Sequence, residues 1–176
     1  MTHIRKATTD DAGLLAGLAA VTFPMACPPS SSPEDIATHL VNTLSERHFR
    51  EYLADPDVTI LVIDADGALR GYSFLVNRPA EDPDVASALK VLPSIELSKC
   101  YVHPERHGLG AAAELMHASL QVAAEAGAAG VWLGVNSQNA RAIRFYEKSG
   151  FRKVGSKSFR LGTTVEHDFV MERSVG

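Results

Sequence analysis

Six consecutive residues, His107-Gly108-Leu109-Gly110-Ala111-Ala112, give the first sign of chemistry in this chain. They follow a strand-like segment, residues 96–102, and a break at Pro104, and they open a long stretch of helical apolar spacing. The first N–H groups of a helix have no internal acceptor, and the helix dipole favours negative charge beside them. Small residues let the main chain approach an anion closely, so such a turn can cradle a phosphate. The same pattern can also be no more than a tight turn. A Walker loop needs Lys-Ser/Thr after its last Gly, where this chain has Ala111-Ala112, and a dinucleotide fingerprint needs a third Gly. Neither a simple ATP site nor an NAD site is indicated.

A second set follows at one strand-helix-strand spacing: Asn139-x-x-Ala142-x-x-Phe145-Tyr146-x-x-x-Gly150-Phe151. Asn139, Ala142 and Tyr146 recur at three to four residues and share one helix face. Phe145 fits a core position. Tyr146 carries a hydroxyl that needs a partner if buried.

These sets need elements to hold them. Strands are expected over residues 4–7, 58–63, 69–76, 95–102, 131–135, 151–160 and 167–172, with a hairpin turn at Asp66-Gly67. Helices are expected from Thr9-Asp10-Asp11 to about residue 21, after the Ser32-Pro33 cap, over 45–53, over 109–126 and over 139–149. Residues 24–33 read as a proline-rich loop, and 79–93 as a loop with one helical turn. The pattern is mixed α/β with one right-handed β-α-β crossover.

A chain of 176 residues supports one domain with a substantial core, here expected over residues 1–176. No apolar run reaches the ~20 residues that span a bilayer. Met1-Thr2-His3-Ile4-Arg5-Lys6 lacks the apolar stretch of a signal peptide. Cys27 and Cys100 lie far apart without metal-ligand spacing, so a reduced cytoplasmic protein without a metal is expected. A net charge of −4 argues against non-specific nucleic-acid binding. Charge is uneven: residues 1–100 carry 8 Lys/Arg against 14 Asp/Glu, while 141–160 carry seven basic residues against Glu147. One reading is solvated surface. The other sets the basic stretch against an anionic cofactor and the acidic half against a cationic substrate.

The two motifs, in this order and at this separation, resemble the GCN5-related N-acetyltransferase (GNAT) superfamily. The family phosphate turn, Arg/Gln-x-x-Gly-x-Gly/Ala, is matched by residues 107–112 with His107 in the first position. Ser94-Ile95-Glu96-Leu97, Tyr101-Val102, Trp132-Leu133-Gly134-Val135 and the tail Ser158-Phe159-x-x-Gly162 with Asp168 and Met171 are similar to bacterial spermidine/spermine N-acetyltransferases. The resemblance implies a mostly antiparallel twisted sheet of about seven strands, helices on both faces, and one parallel pair splayed to admit CoA. It implies acetyl-CoA as cofactor. Cys100, Tyr101, Val102, residues 107–112, Asn136, Asn139, Ala142 and Tyr146 are expected to bind it.

The implied reaction moves an acetyl group to an amine. An alkylamine with pKa near ~10 is protonated at neutral pH, so a proton must leave before attack. Glu96, on the strand where the family's histone-modifying members carry a catalytic Glu, is the expected base; alternation puts it on the face of Cys100 and Val102. A salt-bridged edge position is the alternative. A main-chain N–H in 100–102 would stabilise the oxyanion. Tyr146 would protonate the leaving thiolate. Cys100 is then a small core residue rather than a nucleophile. Phe23, Met25, Glu96 and Trp132 are the expected acceptor contacts, with plain packing as the alternative for Phe23, Met25 and Trp132. The favoured acceptor is a small cationic, polyamine-like amine. Protein N-termini or lysines, antibiotic amines, and a catalytically silent acyl-CoA-binding module are the competing readings. Neither nucleic acid nor membrane is an expected partner; a homodimer is an open expectation.

Overall fold

The computed structural model describes residues 2–176. Seven strands form one sheet: β1 (Thr2–Lys6), β2 (Val58–Ala65), β3 (Ala68–Val76), β4 (Ser94–Val102), β5 (Gly130–Asn136), β6 (Arg152–Leu161) and β7 (Thr164–Ser174). Their order is β1-β2-β3-β4-β5-β7-β6. Every pair is antiparallel except β4 with β5. The expected architecture is therefore present, including the single parallel pair.

Helices cover both faces, and the central strands accordingly bury both sets of side chains. In β2, Ile60 and Val62 enter one core while Leu61 and Ile63 enter the other. The first core packs beneath α1 (Ala12–Ala26), α2 (Pro33–Thr43) and α3 (Glu46–Ala54), with Leu15, Phe49, Tyr72 and Phe74 at its centre. The opposite face packs on α5 (Ala111–Glu125) and α6 (Ala140–Lys148) through Leu115, Met116, Leu133 and Tyr146. A short helix, α4 (Pro83–Ala88), covers Trp132 and Val170 with Val85. Among the described residues no helix is long and apolar enough to cross a membrane.

Three local expectations change. The helix expected to stop near residue 21 runs to Ala26 with Pro24 inside it. A proline in the last turn forfeits only one N–H bond, and its own carbonyl accepts from the Cys27 N–H at 3.3 Å. This extension carries Phe23 and Met25 out over the sheet. The helix expected from residue 109 begins at Ala111, because Gly108 and Gly110 take φ of 79° and 77°.

The third change concerns β4. Phe74 pairs with Lys99 and Leu75 with Leu97, so Ser98 is the extra residue of a bulge. A bulge breaks the two-residue alternation. Ile95 and Leu97 face α5 before it, and Cys100 and Val102 face α5 after it. Glu96, Lys99 and Tyr101 consequently share the opposite face. The expectation that Glu96 lies with Cys100 and Val102 is corrected on this ground.

The start of β4 is anchored from β7. Glu172, fully buried, accepts the Lys90 N–H at 3.1 Å and the Val91 N–H at 3.3 Å. Glu172→Met fills similar space but leaves both donors without an acceptor. We expect a loss of about 1–3 kcal/mol, seen as a lower urea midpoint with unchanged slope in equilibrium unfolding.

Candidate active site

β4 and β5 pair only at Ser94–Gly130, Ile95–Val131 and Glu96–Trp132. Beyond that point the two strands part, and main-chain groups of residues 97–102 on the β5 side have no strand partner. The gap opens into a cleft of about 570 Å³ that runs through the sheet from the start of α5 to the ends of α1 and α2.

At one end stands the glycine turn. His107, Gly108, Gly110, Ala111 and Ala112 line the cleft, with Ala113 behind them. The N–H groups of Gly108, Gly110, Ala111, Ala112 and Ala113 have no acceptor among the described residues. A Cβ added at Gly108 or Gly110 would meet nothing within 4 Å, so the space before these donors is open. Leu109 is the exception among the six: it is 66% exposed and turned away from the cleft. Its N–H is directed at the Arg106 carbonyl, at 3.4 Å. The His107 ring bonds the Val102 carbonyl through Nε2 at 2.9 Å, while Arg141 Nη2 approaches its Nδ1 at 3.2 Å. Only a ring with its proton on Nε2 satisfies both partners. A turn of five free N–H donors beside an arginine fits a diphosphate.

The middle of the cleft is narrow. Cys100, Tyr101 and Val102 form one wall; Gly134, Val135 and Asn136 form the other. Asn139 caps α6 by accepting the Ala142 N–H at 3.2 Å. Ala142, Phe145 and Tyr146 continue that wall. Tyr146 is buried, and burial holds its hydroxyl pKa well above 10. The hydroxyl has no hydrogen-bond partner among the described residues, so it retains a proton to give. Burial likewise pushes the Cys100 thiol up to about 12 and Cys27 to about 11.

The far end is aromatic and charged. Phe23 and Met25 from α1, with Cys27 just past its end, face Tyr101 from β4 and Phe159 and Leu161 from β6. His39 of α2 stacks on Phe23 at 4.6 Å and meets Phe159 edge-on at 5.7 Å. Burial and then Lys99 lower the pKa of its ring. Glu96 enters from the β4 bulge, and burial raises its pKa against the opposing pull of Lys99 and Lys157. Lys157 and Asp168 pair across β6 and β7 at 3.5 Å. Glu166 completes the floor.

Trp132 does not reach this cleft. It packs under α4 with Val85, Leu89 and Val170, because the residue opposite Glu96 on β5 points into that separate core. The expected acceptor contact is corrected to a core residue. Several cleft residues were not among those expected: Lys99, His39 and Glu166 have no local motif, Phe159 stood only in the quoted tail, and the bulge, the docking of α2 and the β6–β7 register bring them together. The basic stretch 141–160 also divides. Arg141 stands at the glycine turn, but Lys157 stands at the opposite end.

A sheet split by a parting parallel pair, with an anion-binding helix start at one mouth, is the frame of a CoA-dependent acyltransferase. Residues 27–151 match the model of the Acetyltransferase (GNAT) family, and the chain belongs to that family. An uncharacterized N-acetyltransferase of Mycobacterium tuberculosis is 48% identical over 165 residues, covering 94% of this chain and 98% of its own. PaiA N-acetyltransferase from Thermoplasma acidophilum, solved with CoA, superposes with TM-score 0.77 at 21% identity over 99% of both chains. The yncA protein of Salmonella typhimurium, solved with its cofactor acetyl-CoA, gives 0.66 at 21% identity over 100% of this chain and 95% of that one. The two structures share the fold. The chain is accordingly an N-acetyltransferase.

Thiols held at pKa values near 11 and 12 stay protonated at neutral pH, and only the thiolate reacts readily. Cys27 and Cys100 should therefore resist iodoacetamide at pH 8 in the folded protein and label rapidly in guanidinium chloride, as read by mass spectrometry.

Proposed function

We propose that this enzyme transfers acetyl from acetyl-CoA directly to the primary amine of a small cationic acceptor, polyamine-like in carrying more than one amine. The observation that carries the reading is Glu96. The β4 bulge turns its carboxylate into the aromatic end of the cleft, at the level where β4 and β5 part. Glu166 and Asp168 add negative charge there, and Phe23, Tyr101 and Phe159 offer ring faces that favour an ammonium group.

When bound, acetyl-CoA supplies the acetyl thioester. The free N–H groups of Gly108, Gly110, Ala111, Ala112 and Ala113 would hold its pyrophosphate, with Arg141 alongside. The unpaired main chain of 97–102 hydrogen-bonds the pantetheine arm in the manner of an added strand, bordered by Asn136, Asn139 and Ala142. A main-chain N–H in 100–102 donates to the acetyl oxygen as negative charge builds on it. Glu96 takes the amine proton, directly or through water. Tyr146 gives its proton to the departing sulfur. Cys100, kept as a thiol, is a wall residue and carries no acetyl group.

Four variants test this scheme. Tyr146→Phe should lower kcat by ~10²–10⁴-fold with acetyl-CoA affinity retained. Glu96→Gln should lower kcat/KM by a similar factor. Because the Glu96 pKa is raised, its base form is lost at a higher pH than for an ordinary glutamate, and the wild-type acid limb should be displaced upward accordingly. Tyr146 remains protonated past pH 10 and should impose no alkaline limb of its own. Gly110→Asp inserts a like charge at a left-handed position and should weaken acetyl-CoA binding at least tenfold by calorimetry, an estimate from the strain and repulsion involved. Cys100→Ala should keep substantial turnover. Wild-type rates in both Glu96→Gln and Tyr146→Phe would remove these residues from the mechanism. A lasting acetyl group on Cys100 that passes to added amine would overturn direct transfer.

A further inference from the structure

The acceptor end of the cleft holds five ionisable side chains from three strands: Glu96 and Lys99 of β4, Lys157 of β6, and Glu166 and Asp168 of β7. Two of them neutralise each other, since Lys157 Nζ lies 3.5 Å from Asp168 Oδ2. The other three make no direct ion pair among the described residues, although Glu96 and Lys99 attract each other at longer range. Glu166 is only 8% exposed, yet no described residue hydrogen-bonds its carboxylate. Lys99 Nζ donates to Ser98 Oγ at 3.1 Å and lies 4.9 Å from the centre of the Phe74 ring. Neither contact supplies a negative charge. Nothing among the described residues hydrogen-bonds the Glu96 carboxylate either. A charge withdrawn from water is costly unless paired, so this end is electrostatically incomplete in a defined way: two carboxylates and one ammonium lack a direct partner, and the distant Glu96–Lys99 attraction satisfies neither group's hydrogen-bonding needs.

A plain diamine or polyamine matches only part of that set. Its ammonium groups suit Glu96 and Glu166, but Lys99 then faces like charge and stays unpaired. We propose that the acceptor is a diamino monocarboxylic acid, whose amines face Glu96 and Glu166 and whose carboxylate pairs with Lys99. This refines the small-amine reading and rests on it. The acceptor keeps a net positive charge and more than one amine, and gains an anionic handle that fixes its orientation beside the catalytic carboxylate. Burial, the leading influence on Lys99, brings its pKa down to about 8; a bound carboxylate would oppose that shift. The Ser98 bulge makes the arrangement possible. Without the extra residue, Glu96 and Lys99, three positions apart, would point to opposite faces of the sheet.

The test uses matched pairs that differ only in the carboxylate: 2,4-diaminobutanoate with 1,3-diaminopropane, L-ornithine with 1,4-diaminobutane, and L-lysine with 1,5-diaminopentane. In the wild-type enzyme, kcat/KM for the best-fitting diamino acid should exceed that of its diamine by about 10- to 100-fold, the worth of one charge-assisted hydrogen bond. Lys99→Met should abolish or invert that preference through the diamino acid KM, while acetyl-CoA affinity by calorimetry stays within about twofold, because residue 99 faces the cofactor only through its main chain, which the substitution keeps. Lys99→Arg should retain the preference in part. A diamine used as well as its diamino acid, or an undiminished preference in Lys99→Met, would overturn the proposal and leave the small-amine reading standing. Acetylation of neither member of any pair would overturn both.

Discussion

Three residue pairs of parallel sheet govern this molecule. β4 and β5 are bonded at Ser94, Ile95 and Glu96 and then separate. A sheet interior normally satisfies its main chain on both sides, so the parted length of β4 is a row of polar groups in need of a partner. An extended ligand arm carrying amides can serve as that partner. The opening also connects the two faces of the sheet. A diphosphate group can rest at the α5 start on one side, while a second substrate enters beneath α1 and α2 on the other. Glu96 and Tyr146 both border that opening.

The bulge at Ser98 decides what that opening contains. Apolar residues on both sides of it still reach the α5 core, so packing there is uninterrupted. On the other face it brings Glu96 and Lys99 together. One extra residue thus places a carboxylate and an ammonium on one face without a loop, on a rigid element flanked by β3. His39 and Phe23, stacked on each other, close the same chamber from α2 and α1.

Local signals were readable in the sequence where the chemistry is local. The hairpin at Asp66-Gly67, the Ser32-Pro33 cap and the turn at 107–112 each depend on a few neighbouring residues, and each lies where the pattern placed it. The β-α-β crossover followed from the order of elements, whereas the seven-stranded sheet with its single parallel pair was implied by the family resemblance. What the sequence concealed depends on distant pairing. Alternation assigned Glu96 to the wrong face because the bulge exists only relative to β3. Trp132 lies beside the site in sequence pattern but in another core in space. Glu166 and Lys157 become cleft residues only through the β6–β7 register, so the acidic and basic halves of the chain do not map onto the two ends of the cleft.

The clasp between Glu172 and the chain at Lys90 and Val91 has a consequence for assembly. β1 to β4 form a meander of neighbours, whereas β7 must settle between β5 and β6, and it carries the carboxylate that secures the entry to β4. The strand bearing Glu96 is therefore fastened by a segment synthesised well after it. During synthesis the half bearing Glu96 can collapse early, but the chamber it faces gains its floor and its anchor together, when β7 pairs. Until β7 is in place the cleft has neither.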